Sequence, residues 1–290
     1  RLHDSVIVVH NRPMMRNVTL AGLWSIFTTL SMSTALLGAP TLASAQSGPE
    51  RALQDMREAF RKNDQRTLSA ALPRLQGHLL EPLGAYWELR ARLESASPDE
   101  IRAFLSRWSG SYYEDRLRND WLLLLGQRRN WAQFAEQHPA YRMSDDREVR
   151  CYALLIDTLK GTAPATVADD VRSNWYAIRD ADDGCTHAAS ELYSYKKLSA
   201  LDIWRKARLG VEANRPRVVR NAVEIVSPDS LPQLKEVLDA PTKFLLSRAT
   251  ARGNARQELV LLALIKLAGS DPDGAAPPIA SPSPGLVVPN

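Results

Sequence analysis

Residues 117–126 read Leu-Arg-Asn-Asp-Trp-Leu-Leu-Leu-Leu-Gly, residues 127–134 read Gln-Arg-Arg-Asn-Trp-Ala-Gln-Phe, and a third run through Cys151 closes at Gly161. Leu117, Trp121, Leu124 and Leu125 fall at i, i+4, i+7 and i+8, which is one face of a helix. Trp131, Phe134, Ala135 and His138 repeat the pattern on a second face. The segment between them, Gly126 to Asn130, has room only for a tight turn, so the two helices are predicted to lie antiparallel. The third run, Asp145 to Lys160, is apolar on more than one side (Val149, Tyr152, Ala153, Leu155, Ile156), which predicts a central, buried helix with Gly161 as its C-cap.

Working outward, short helices are predicted over 51–61, 67–77, 83–93, 166–178, 186–195, 200–209, 217–225, 230–238, 242–252 and 254–268, with the seam helices at 114–125 and 131–137. Pro73 predicts a kink or early end in the second of these. Ser97-Pro98-Asp99-Glu100 is a strong helix start: Ser97 as N-cap, Pro98 at the first helical position and Glu100 closing a capping box. No alternating β-branched runs bounded by Asn-Gly or Asp-Gly turns occur. The expected fold class is all-α, an irregular superhelix of stacked antiparallel helix hairpins over 46–270, without a strict consensus repeat.

The ends of the chain differ in character. The chain is 290 residues long and opens at Arg1. Met14-Met15-Arg16, the largely uncharged run Val18 to Leu37 and Ala43-Ser44-Ala45 before Gln46 fit the positive, apolar and small-residue parts of a secretory signal peptide cleaved after Ala45. Ser and Thr dilute the apolar run, which favours this over a transmembrane anchor. Residues 1–13 read as upstream sequence without a fold. Residues 271–290 hold six prolines and no Lys or Arg, which predicts a disordered tail. Leu259 to Leu267 looks like a buried helix in need of a partner that nothing after it supplies, so a truncated or frame-shifted gene is the expectation at this end.

The three Arg and one Asp before Gln46 leave 34 basic and 32 acidic residues, a net charge of +2. That near-balance, with export, argues against nucleic acid as a partner. The two cysteines, Cys151 and Cys185, are an even pair in an oxidising compartment, which favours a disulfide. Free buried thiols are the bland alternative. A catalytic thiol is the sharp one, with His187 close by, but Asp182 and Asp183 make its surroundings negative. A bridge would stabilise the fold by roughly 3–4 kcal/mol in the chain-entropy model. None of the five histidines stands in a paired-ligand arrangement and no phosphate loop of the G-x-x-x-x-G-K type occurs, so neither metal nor cofactor is expected.

Two surface candidates remain. Arg205, Lys206, Arg208, Arg215, Arg217 and Arg220 read first as a solvated helix face; Arg205, Arg208, Arg215 and Arg217 are also candidate contacts to anionic glycan. Among the aromatics, most of which helical spacing assigns to the core, Tyr112 and Tyr113 beside Gly110 are the candidate exposed sugar-stacking pair.

Glu81-Pro82-Leu83-Gly84-Ala85-Tyr86-Trp87-Glu88-Leu89, Arg118-Asn119-Asp120-Trp121-Leu122, Asn130-Trp131-Ala132-Gln133-Phe134 and the cysteine pair carry a resemblance. In that order, after a signal peptide, they resemble the N-terminal superhelical (U-shaped) domain of the soluble lytic murein transglycosylases, most closely over residues 80–195. The resemblance implies a periplasmic protein whose partner is peptidoglycan, a cysteine pair at similar spacing, and a separate C-terminal lysozyme-like domain. That domain cleaves the MurNAc–GlcNAc bond without hydrolysis to leave a 1,6-anhydroMurNAc end, using one Glu of a Glu-Ser pair as acid and then base. The Gly-Leu-Met-Gln and Ala-Tyr-Asn-Ala-Gly motifs that accompany this residue are missing from the sequence. Its only Glu-Ser pair, Glu94-Ser95, reads as a helix end. No catalytic residue is therefore assigned, and the expected role is positioning of glycan strands. A periplasmic helical-repeat scaffold that binds proteins is the alternative, and a damaged gene product with no function of its own is the third reading.

Overall fold

The computed structural model describes residues 48–248 and 253–270. The expected leader (14–45) and Pro-rich tail (271–290) lie outside the described residues, as does the end of the helix expected at 242–252. Every regular element among the described residues is helical. In chain order they are α1 (Gly48–Arg61), α2 (Gln65–Ala71), α3 (Glu81–Ala91), α4 (Pro98–Arg107), α5 (Tyr112–Gln127), α6 (Trp131–Gln137), α7 (Arg147–Leu159), α8 (Val167–Ala177), α9 (Gly184–Ser194), α10 (Ala200–Glu212), α11 (Pro216–Val226), α12 (Leu231–Asp239), α13 (Pro241–Arg248) and α14 (Asn254–Ser270). Short 3-10 turns at Leu72–Leu75, His138–Ala140 and Pro228–Ser230 each carry a proline near their start.

Local chemistry sets the helix starts. Asp64, Ser111, Asn130 and Asp146 accept backbone N–H bonds at the heads of α2, α5, α6 and α7, and Ser97 and Ser199 form full capping boxes with Glu100 and Asp202. Pro73 does end α2, and the chain tightens to a 3-10 turn there because proline supplies no N–H for the next helical bond. Gly161 takes φ +71° just past α7, as expected of a C-cap.

The helices stack on their sequence neighbours. α1 packs on α2 and α3, α3 on α5, α5 on α6 and α7, α7 on α8 and α9, α10 on α8 and α11, and α14 on α10, α12 and α13. Each hairpin thus buries its face against the next, the arrangement of a solenoid. The core follows the same path. It starts at Met56, Leu68 and Leu75, continues through Leu117, Trp121 and Phe134, and ends around Trp175, Val219 and Leu262. Each fully buried Leu or Val side chain contributes roughly 1.5–3 kcal/mol. α7 touches α5, α6, α8 and α9, which is the central position its two-sided apolarity predicts.

Two expectations need correction. Gly126 is not the turn residue: it lies inside α5 and is buried, because the Tyr152 ring rests where a Cβ would stand. The sharp reversal falls at Arg129, with φ +57°. And α14 has its cover upstream: Leu259, Leu262, Ala263 and Leu267 are buried in the same core as α10, α12 and α13, so its apolar face is not a sign of a missing partner.

Candidate functional site

The N-terminal half of α5 meets α3 in a seam that grades from solvent to core. Ser111 caps α5 through the Glu114 N–H (3.1 Å), and Glu114 reaches back to the Gly110 N–H (2.8 Å). This fixes the first turn. Tyr112, Arg116 and Asp120 then fall at i, i+4 and i+8, on one stripe. Tyr112 is 62% exposed, Arg116 is half-buried and Asp120 is 4% exposed. The half-buried Tyr113 ring sits edge-on to Tyr112, with ring centres 5.4 Å apart, and 6.1 Å from the ring of Tyr86 on α3. Of the two tyrosines expected to be exposed, one is open and the other is half covered.

Asp120 is the anchor of this seam. Its Oδ2 accepts the Tyr86 hydroxyl at 2.8 Å and lies 3.1 Å from Arg90 Nε. Arg116 stands beside the Tyr86 hydroxyl, Asp120 and Tyr112. Burial raises the Asp120 carboxyl, while Arg90, Tyr86 and Arg116 pull it back. Burial also raises the Tyr86 hydroxyl, so it stays a donor. Arg90 and Arg116 were missed in the sequence. The signal was present as Tyr86/Arg90 at i, i+4 and the Tyr112/Arg116/Asp120 stripe, but it needs two helices brought together.

The expected arginine strip is divided by the fold. Lys206 points inward, donating to the Ile178 carbonyl at 2.7 Å and to the Trp175 carbonyl. Burial lowers it to about 8. Arg208 pairs with Glu258 of α14 at 2.5 Å and Arg215 with Asp180 at 2.6 Å. Arg205 is exposed and stacks over the Tyr176 ring (5.3 Å), while Arg217 and Arg220 are exposed on α11. Glu94-Ser95 sits in the exposed turn after α3, with the Glu94 carbonyl accepting from Arg128 at 2.6 Å.

Cys151 and Cys185 form a disulfide, with Cα atoms 4.8 Å apart, that ties α7 to α9; both residues are fully buried. The bridge removes the thiol that a nucleophile would need. A polar knot surrounds it. Glu148 accepts the Asp183 and Gly184 N–H groups (2.9 and 3.1 Å), Tyr152 donates to Asp183 (2.5 Å), and Arg129 clasps the same carboxylate with both terminal nitrogens. Asp182 accepts the Cys185 N–H at 2.6 Å, its other oxygen is buried without a hydrogen-bond partner, and burial followed by the Glu148 charge pushes it up to about 7. Among the described residues no group of three or more His, Cys, Asp or Glu is placed to hold a metal, and no helix is long and apolar enough to cross a membrane.

No protein-family description and no curated protein matches the sequence. Solved structures do match in shape. The 70-kDa soluble lytic transglycosylase in complex with bulgecin A aligns with a TM-score of 0.52 at 14% identity, over 85% of this chain and 40% of its own. The 70-kDa soluble lytic transglycosylase of Escherichia coli aligns with a TM-score of 0.51 at 15% identity, over 83% of this chain and 39% of its own. An inactive variant of the lytic transglycosylase of Pseudomonas aeruginosa aligns at 22% identity and a TM-score of 0.49, over 82% of this chain and 39% of its own. The resemblance read from the sequence therefore holds at the level of fold: an all-α superhelix shared with the soluble lytic transglycosylases. The chain spans about two fifths of the length of the structures it matches.

Proposed function

We propose that this chain is the superhelical, strand-positioning part of a peptidoglycan lytic transglycosylase, exported to the periplasm through a signal peptide cleaved after Ala45. The observation that carries the reading is the shared superhelical fold over 85% of the chain with a transglycosylase solved in complex with bulgecin A. The buried disulfide supports the export part of the reading, since such bridges persist in oxidising compartments. The family reaction, non-hydrolytic cleavage of the MurNAc–GlcNAc bond, belongs in this proposal to a C-terminal catalytic domain that acts beside the superhelix. The chain itself supplies a rigid helical wall that bears exposed aromatic and cationic side chains and can hold a glycan strand without reacting with it.

Co-sedimentation with purified sacculi tests the proposal. The full chain is expected in the pellet, displaced by added soluble muropeptides. A chain that stays in the supernatant with sacculi would refute it, and a chain that instead enriches specific periplasmic proteins would favour the protein-binding scaffold.

A further inference from the structure

We propose that the α3–α5 seam is a binding site for a carboxylate carried beside a sugar ring, with Arg90 and Arg116 receiving the carboxylate and Tyr112 the ring. The inference rests on the peptidoglycan reading and names the place where a strand is gripped.

Charge accounting is the first support. The acidic side chains around the seam are each committed elsewhere. Glu81 takes Arg107 and the Gly77 N–H. Glu88 takes Arg92 and the Ser69 hydroxyl. Glu114 takes Arg118 and Arg142, and Asp115 takes the Arg142 and Met143 N–H groups. Among the described residues only Asp120 faces Arg90 and Arg116, so two guanidinium groups share one carboxylate and these groups carry a surplus positive charge. Arg116 feels Asp120 without a close ion pair among the described residues, and the Arg90 side chain is 34% exposed, its Nε 3.1 Å from Asp120 Oδ2 yet buried without a hydrogen-bond partner. A guanidinium offers five donors in a fixed fork, so both residues keep donors for a second carboxylate.

Preorganisation is the second support. Asp120 is buried and pinned by the Tyr86 hydroxyl, so its charge stands fixed beside Arg90 before any ligand arrives. Tyr112 stands at the rim, braced edge-on by Tyr113, and presents an exposed ring of the kind that packs on the apolar face of a pyranose. The arginine strip of α10 and α11 lacks this build: its Lys206 is turned into the core and its Arg208 and Arg215 are already paired.

The carboxylate could be the lactyl group of an N-acetylmuramic residue or a carboxylate of its peptide. Both sources put the charge next to a pyranose, and the ligands chosen separate them. The full chain is titrated calorimetrically with peptide-free glycan strands, with a disaccharide muropeptide and with neutral chitotetraose. Arg116→Gln is the primary variant, because Asp120 keeps Arg90 and the Tyr86 hydroxyl beside it, and Tyr112→Ala is the second. Thermal melts establish that both remain folded. A charge-assisted contact corresponds to about 10- to 100-fold in affinity. Arg116→Gln is therefore expected to weaken the charged ligands by at least about tenfold and leave chitotetraose unchanged, whereas Tyr112→Ala weakens all three. Loss confined to the glycan strands assigns the lactyl carboxylate, and loss confined to the muropeptide assigns the peptide. If both variants bind every ligand as the parent does while the parent still sediments with sacculi, the seam is not the site and the peptidoglycan reading survives. A parent that binds neither sacculi nor these ligands overturns both.

Discussion

Replacing Gly126 with alanine tests the packing of α5 on α7, the contact through which the central helix joins the stack. An added Cβ would stand 2.5 Å from Cδ2 and 2.7 Å from Cζ of Tyr152. The ring has little freedom to yield. It is fully buried, its centre lies 6.1 Å from Trp131 and 6.0 Å from Phe134, its hydroxyl is bound to Asp183, and the preceding residue is held in the disulfide. Relief must come from parting α5 and α7. Overpacking of this kind costs about 1–3 kcal/mol, and the upper end applies where backbone has to move. Alanine returns about 1 kcal/mol through its better helix propensity. The net expectation is a loss of about 1–2 kcal/mol, seen as a fall of about 2–8 °C in the melting temperature of a domain this size. Thermal unfolding followed at 222 nm under non-reducing conditions measures it. Gly269→Ala is the control: that residue is helical and exposed and nothing lies within 4 Å of its added Cβ, so alanine there should stabilise slightly. A Gly126→Ala chain that melts at or above the parent would refute the packing argument.

Replacing both cysteines with alanine opens a link across a sequence separation of 34 and should cost about 4 kcal/mol in the chain-entropy model, read as a lower urea midpoint. An unchanged midpoint would show that the bridge adds nothing to the α7–α9 contact. Asp182 supplies a pH test. Its folded carboxyl is raised to about 7 from an ordinary 3.8, with Glu148 of α7 and Lys206 of α10 facing it. Its contribution to stability is thus full below the unfolded value and is lost as pH rises through about 7. Asp182→Asn keeps an oxygen for the Cys185 N–H and removes that loss, so the variant should gain on the parent from about pH 4 upward and melt higher at about pH 8; parallel pH profiles would contradict this. Ser97→Ala should cost about 1 kcal/mol by opening the capping box. The same box, through the Ser97 N–H first and Arg92 second, holds the Glu100 carboxyl down to about 2, and a carboxyl titration near the ordinary value would argue against it.

Much of the fold was readable because its determinants are local. The Ser97 capping box, the proline at 73 and the α6 helix all depend on residues within four positions of one another. The misreadings share the opposite cause. Gly126 looks like a helix breaker in sequence, yet its lack of a side chain answers to Tyr152, which arrives from another helix. Lys206 belongs to a charged run but is turned inside because the carbonyls of Trp175 and Ile178 at the end of α8 need a donor. Arg90 and Arg116 share Asp120 only after α3 and α5 meet. Helical periodicity shows that a face is buried; it does not show which polar groups from another element will complete it.

Hydrogen–deuterium exchange of the full chain, with and without soluble peptidoglycan glycan strands, bears most directly on the reading as a whole. Backbone amides in the first turns of α5 and along the facing part of α3 should exchange more slowly when strands are present, with α11 and α12 unchanged. Identical exchange throughout the described helices at saturating strand concentration would contradict a strand-holding superhelix.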